Sequence, residues 1–204
     1  MDKLDLKKHY KALYGAPKGR FEIVDVPPLQ YVRLDGEGDP NTAEAYQLGV
    51  SWLFSVSYAM KFAAKAALAR DYTVGPLEGL WWSDDMSSFV ERRKDDWRWT
   101  IMILQPDFVT PALYGAAVQK AGKKLGPPPS SLRFETFHEG LSVQTLHIGS
   151  YDDEAPTLAR LHQEFLPQNR LTETGRHHEI YLSDPRRVAT EKLKTILRQP
   201  VARV

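Results

Sequence analysis

Cysteine is absent from the 204-residue chain, which excludes disulfides, thiolate metal sites and a cysteine nucleophile. An excess of charge of either sign is also lacking. Lys and Arg number 27 against 26 Asp and Glu, a formal net charge of +1. That balance gives no electrostatic argument for nucleic acid or for an anionic membrane. Residues 1–20 mix Lys, Asp and Tyr without an apolar h-region, so they do not read as a signal peptide. No uncharged apolar run approaches the ~20 residues of a membrane span. The expected location is the cytoplasm. Phosphate-cradling glycine loops are missing too: Gly36-Glu37-Gly38 lacks a third glycine, and the strand before it carries prolines. There is no G-x-S-x-G elbow either. No cofactor is expected.

What the chain does have is a concentration of indole. Four of its five tryptophans lie in Pro76-Leu-Glu-Gly-Leu-Trp-Trp82 and Trp97-Arg-Trp99, with an acid among them. Both segments read as β-strands, on which residues two apart share a face. Glu78, Leu80 and Trp82 then point one way and Leu77, Gly79 and Trp81 the other. Trp97, Trp99, Ile101 and Ile103 share a face. A carboxylate fixed among indoles suits a pocket for a flat or cationic organic molecule, or a carboxyl of raised pKa.

Residues 1–20 look like an appended arm with one short helix at 4–13. Residues 21–34 read as a strand interrupted by Pro27-Pro28. Thr42 is placed to cap a long helix over 43–69. Strands over 73–83 and 97–105 follow, joined by the charged segment 84–96. Thr110-Pro111 opens a helix to 125, and 126–131 is a linker. Beyond it, 132–151 holds strand material, 155–168 is a helix, and 177–182 and 193–198 are strands. The order therefore repeats, with pseudo-repeats at about 21–125 and 132–204. Glu78-Gly-Leu-Trp-Trp-Ser-Asp84 and Trp99-Thr-Ile-Met-Ile-Leu-Gln-Pro106 in the first half answer Glu179-Ile-Tyr-Leu-Ser-Asp184 and Leu193-Lys-Thr-Ile-Leu-Arg-Gln-Pro200 in the second. With the Ser-Asp pairs aligned, Glu78 is offset by one residue from Glu179. The fold class expected is α+β, with duplicated β-α-β-β units, antiparallel sheets and pseudo-twofold symmetry. Packed that way, the halves would bring Glu78 and Glu179 to one cleft lined by Trp, Tyr and Glu.

The candidate catalytic residues are Glu179, Tyr181 and Glu78. Trp81, Trp82, Trp97, Tyr151, His147 and Tyr58 are the candidate ligand-binding residues. Structural readings stand beside these: either carboxylate as a hydrogen-bonded strand end, Trp97 as sheet-face packing, His147 and His138 as framework. Adjacent His177 and His178 point to opposite faces, so no metal site is expected.

Pro76–Trp82, the run from Trp97 to Val109, Glu139–Tyr151 and His177–Pro185 together resemble the GyrI-like small-molecule-binding family, in a standalone bacterial branch. The resemblance covers roughly residues 10 to 200, with four motifs in order. It implies a duplicated β-α-β-β fold with a ligand cleft between the halves. In multidrug-responsive regulators of this family an acid in the E-x-Y strand contacts cationic aromatic drugs; here the matching residues are Glu179 and Tyr181. Other members are reported to hydrolyse cyclopropane-bearing DNA-alkylating toxins. This chain carries no helix-turn-helix segment, so direct nucleic-acid binding is not expected. The implied partner is a small molecule, without membrane association; a homodimer is left open. The readings are a hydrolase for strained electrophilic aromatics, a non-catalytic drug-sequestering or sensing protein, and a gyrase-interacting module.

Overall fold

The computed structural model describes residues 3–85, 88, 91 and 93–204. The chain divides into two compact units, each built from two stretches of sequence. Unit 1 comprises residues 1–9 and 29–137; unit 2 comprises 10–28 and 138–204.

Unit 1 is an antiparallel sheet of β5 (Glu78–Trp82), β6 (Arg98–Gln105), β3 (Leu29–Glu37) and β7 (Arg133–Phe137), in that order. A parallel pair, β1 (Lys3–Asp5) with β4 (Asp71–Thr73), adjoins helix α1 (Leu6–His9). The long helix α3 (Glu44–Leu68) packs on the sheet through Gly49, Trp52, Leu53, Val56, Met60 and Ala64, a spacing of three to four residues that keeps one stripe inward. Gly49 permits the approach: a Cβ there would meet Leu34 Cδ2 at 2.4 Å. Helix α4 (Pro111–Leu125) lies against α3, and the Thr110 hydroxyl accepts from the Leu113 N–H at its start.

Unit 2 repeats the plan. Its antiparallel sheet runs β10 (His177–Tyr181), β11 (Lys194–Arg203), β8 (Gly140–Ile148), β2 (Glu22–Val26), with β9 (Leu171–Glu173) on the far end of β11. Helix α2 (Lys11–Tyr14) belongs to this unit. Helix α5 (Ala155–Arg160) passes through a π turn over Leu161–Phe165 into α6 (Leu166–Gln168). Pro167, with no N–H and a ring that crowds the carbonyl four residues back, accounts for the widened turn. Leu161, Leu166, Leu171, Val143 and Val201 form the core beneath it. Strand for strand, β5-β6-β3 corresponds to β10-β11-β8, and β7 to β2.

Several sequence boundaries shift. Pro27-Pro28 does more than interrupt a strand: it separates β2, which pairs with β8, from β3, which pairs with β6 and β7. The first strand of each repeat is thus built into the other unit. Within the expected appended arm, residues 3–20 pack into the fold, because Leu6, Leu13, Tyr14 and Ala16 are buried. The 73–83 strand divides into β4 and β5, since Pro76 has no ladder donor. Ala43, not Thr42, is the N-cap of α3, because the Asp39 carbonyl already accepts from the Thr42 and Ala43 N–H groups. The segment 84–96 lies partly outside the described residues. Among those residues no helix is long and apolar enough to cross a membrane.

Candidate functional site

In unit 2, strand alternation directs His177, Glu179 and Tyr181 to one face of β10. The register pairs Glu179 with Leu197 and Tyr181 with Thr195, and Leu197 in turn with Thr145. This face also carries Val143 and Val201, so it is the face that the 155–168 helix covers. The Tyr181 hydroxyl donates to Glu179 Oε2 at 2.8 Å. The other carboxylate oxygen, Oε1, lies 3.5 Å from His177 Nε2. The Tyr151 ring meets the Tyr181 ring edge-on at 5.7 Å.

Tyr151 and Glu154 come from the turn that leads into α5, which brings their side chains over the Glu179 end of the sheet. Glu154 is only 4% exposed. Burial above all, then the charges of Glu179 and Asp152, push its carboxyl up to about 10, so it is protonated at neutral pH. Burial, then Glu179, likewise pushes the Tyr151 phenol up to about 12, keeping its proton. The arrangement is a carboxyl that holds a proton interacting with a second carboxyl, Glu179, which accepts a hydrogen bond from Tyr181. Groups of one chemistry set apart by environment are the raw material of acid–base catalysis. Glu154 was not singled out from the sequence. It sits in the run Asp152-Asp153-Glu154 before a helix, where acids are ordinarily dipole partners, and only its burial distinguishes it.

Glu78 is fully buried in unit 1, but on a different kind of face. Its register partner is Met102, and Met102 pairs with Arg33. Leu34 and Ile101, which touch α3 at Gly49, point the opposite way. Glu78 therefore faces away from its unit's long helix, whereas Glu179 faces toward its own. Aligning Ser83-Asp84 with Ser183-Asp184 sets Trp81 on Tyr181, Gly79 on Glu179 and Glu78 on His178. The one-residue offset is a change of face, and the two glutamates are not counterparts.

Trp81, Trp97 and Trp99 cluster with Tyr46 on the helix side of unit 1. Trp81 stacks on Tyr46 at 6.2 Å and meets Trp97 edge-on at 6.0 Å; Tyr46 in turn meets Trp99 at 5.1 Å. The Trp97 and Trp99 N–H groups donate to the carbonyls of Ser88 and Gly38. Trp82 shares the Glu78 face and is half-buried. Tyr58 lies apart from this cluster, 48% exposed on α3 beside Phe54. In unit 2, His147 is buried, with Nε2 2.9 Å from the Ser150 carbonyl, where it holds the turn before Tyr151. It also lines a cavity of about 160 Å³ with Lys18, Phe21, Thr157 and Arg160. Among the described residues, no group of three or more His, Asp or Glu is placed to hold a metal ion.

Comparison with known proteins follows the same lines. The profile of the GyrI-like small molecule binding domain matches residues 20–202. A crystal structure of an uncharacterized conserved protein from Listeria innocua is similar, with 41% identity, 98% of this chain and 100% of that one covered, and a TM-score of 0.89. Two structures each described as a hydrolase from Listeria innocua share 40% and 38% identity over the same extents, with TM-scores of 0.84 and 0.86. The EcmrR C-terminal domain shares the fold alone, at 12% identity and a TM-score of 0.57 over 91% of this chain and 98% of that one. No curated protein matches. The chain belongs to the GyrI-like small-molecule-binding family.

Proposed function

We propose that this small-molecule-binding protein is a hydrolase for strained, electrophilic aromatic compounds such as cyclopropane-fused dienones, and that its role is detoxification. The observation that carries the reading is the acid–base set of unit 2: the Glu179 carboxylate held by Tyr181 at 2.8 Å, beside the protonated Glu154. The two Listeria innocua relatives described as hydrolases support it.

In the reaction, Glu179 takes a proton from water as the water oxygen bonds to a cyclopropane carbon. The ring C–C bond breaks and its electron pair passes into the dienone, leaving a phenolate oxygen. Glu154 gives that oxygen its proton, and the product is a phenol bearing a new hydroxyl. Tyr151 and Tyr181 supply aromatic surface for a planar guest. Positioned acid and base together are worth about 10²–10⁴-fold, enough for a substrate already driven by ring strain.

The test is turnover with a cyclopropane-fused dienone in ¹⁸O-labelled water, followed by mass. More than one equivalent of labelled product per protein is expected, and Glu179→Gln should lower kcat by about 10²–10⁴-fold while the fold is kept. Full activity in that variant removes Glu179 as the base. Tight binding without product replaces the hydrolase by a capture protein, for which the carboxyl pair and aromatic rings would serve as a cation site.

A further inference from the structure

We infer that unit 2 carries a second binding site, at the open edge of β8, which takes a phosphate group, free or as a small monoester. The inference does not depend on the hydrolase reading. Register places Thr145, at this edge, two strands from Glu179, about 10 Å at the ordinary strand spacing.

The strand ladder makes the opening. β2 pairs with β8 from Gly140 to Gln144 and stops there. Beyond it, Lys18 makes a single parallel bridge with Leu146, and the Leu146 N–H donates to the Pro17 carbonyl at 2.9 Å. That N–H points away from β11, and strand alternation turns the Ile148 N–H to the same edge. The cavity of about 160 Å³ lies here, bounded by Lys18, Gly19 and Phe21, by β8, and by Thr157 and Arg160 of α5. Two acceptors beside it are already engaged. The Pro17 carbonyl also accepts from the Thr145 hydroxyl at 3.2 Å, and the Ser150 carbonyl lies 2.9 Å from His147 Nε2.

The lining is one-sided in charge. It holds two cations, Lys18 and Arg160, and no carboxylate. Among the described residues neither cation is in an ion pair. Elsewhere in the chain charges balance almost one for one. The Arg160 guanidinium lies over the Phe21 ring at 5.4 Å, and Phe21 packs on Phe165 at 5.1 Å. Stacking of this kind orients a guanidinium without neutralising it. Two positive charges match a phosphate dianion rather than a carboxylate. The planar fork of Arg160 suits two phosphate oxygens, Lys18 a third, and the Thr157 hydroxyl and Ile148 N–H are further donors. Size decides in the same direction. The cavity has the volume of about five waters at ~30 Å³ each. That admits a phosphate group but is below the ~300 Å³ of a pocket for a drug-sized guest. An occupant would tie the 18–21 segment and β8 to α5, and so stabilise unit 2.

The experiment titrates the whole chain with inorganic phosphate and with phenyl phosphate, following backbone amides by NMR, against sodium chloride at matched ionic strength. Phosphate should give saturable shifts at Gly19, Phe21, Ile148 and Thr157, with a Kd of about 1 mM or tighter, and should raise Tm by a few degrees. Lys18→Gln and Arg160→Ala, both at exposed positions, should keep the fold and each weaken binding about 10-fold. Shifts that chloride reproduces, shifts that do not saturate, or variants that bind as the parent does overturn the site. Tighter binding of phenyl phosphate identifies a monoester whose ring meets Phe21; equal binding identifies the phosphate group alone, and both uphold the site. Glu179→Gln should bind phosphate as the parent does, so failure of the base assignment leaves this inference standing. Loss of phosphate binding in that variant would place the anion elsewhere and overturn it.

Discussion

Glu139→Gln removes one buried charge and keeps the shape around it. Glu139 stands just before β8 with its side chain 1% exposed. His178 Nδ1 lies 2.9 Å from Oε1, and Arg198 Nη1 donates to Oε2 at 3.1 Å. Arg198 also donates to the Leu13 carbonyl at 2.6 Å and to Gln144 Oε1, while Gln144 donates to the Ala12 carbonyl and to Glu22. The network ties the 10–16 segment, β2, β8, β10 and β11 of unit 2 together. Burial pushes the Glu139 carboxyl up, but the charges and hydrogen bonds of His178 and Arg198 outweigh it and hold it down to about 2, against an ordinary 4.5. That displacement corresponds to about 3 kcal/mol of stability at neutral pH. Breaking a buried ion pair from one side costs about 3–5 kcal/mol, in agreement.

The sign follows from the lowered folded-state value. The contribution is complete above about 4.5 and is lost as pH falls toward 2. The assay is urea unfolding of parent and variant at several pH values. With a slope of about 2–3 kcal/mol per molar, the midpoint of the variant should fall by about 1 M or more at pH 7. The gap should close on acidification, since the parent loses what the variant never had. A midpoint within a few tenths molar of the parent's at pH 7, or a gap that widens in acid, refutes the reasoning.

Glu154 predicts the opposite behaviour. Its carboxyl is pushed up to about 10, so the folded state holds a proton that the unfolded chain releases, and stability falls as pH rises above about 4.5. Glu154→Gln should therefore raise the unfolding midpoint at pH 7 by the equivalent of about 1–3 kcal/mol, converge on the parent near pH 4, and lower turnover; calorimetry and the product assay check both halves. Gly36→Ala sets a Cβ 2.1 Å from Trp99 Cη2 and should cost about 1–3 kcal/mol, a fall of several degrees in Tm by scanning calorimetry. An unchanged Tm would mean that Trp99 has room to move.

Much of this protein is written along the chain. The two-residue period of β5 and β6 assigns the faces of Glu78, Leu80, Trp82, Trp99 and Ile101 correctly, because alternation is a local property of extended backbone. The apolar stripe of α3, the Thr110-Pro111 helix start, the internal duplication and the four family motifs are local in the same sense. Pairing is not local. Nothing in residues 21–34 says that β2 joins β8 while β3 joins β7, because those partners lie more than 100 residues away in sequence. Nor does residue type disclose desolvation. Glu154 resembles any helix-leading acid, and His177 any strand histidine, until the fold closes around them and removes the water that would have satisfied them. The elements and their faces follow from short-range sterics and periodicity; the raised pKa of Glu154 arises from burial, which only the folded chain creates.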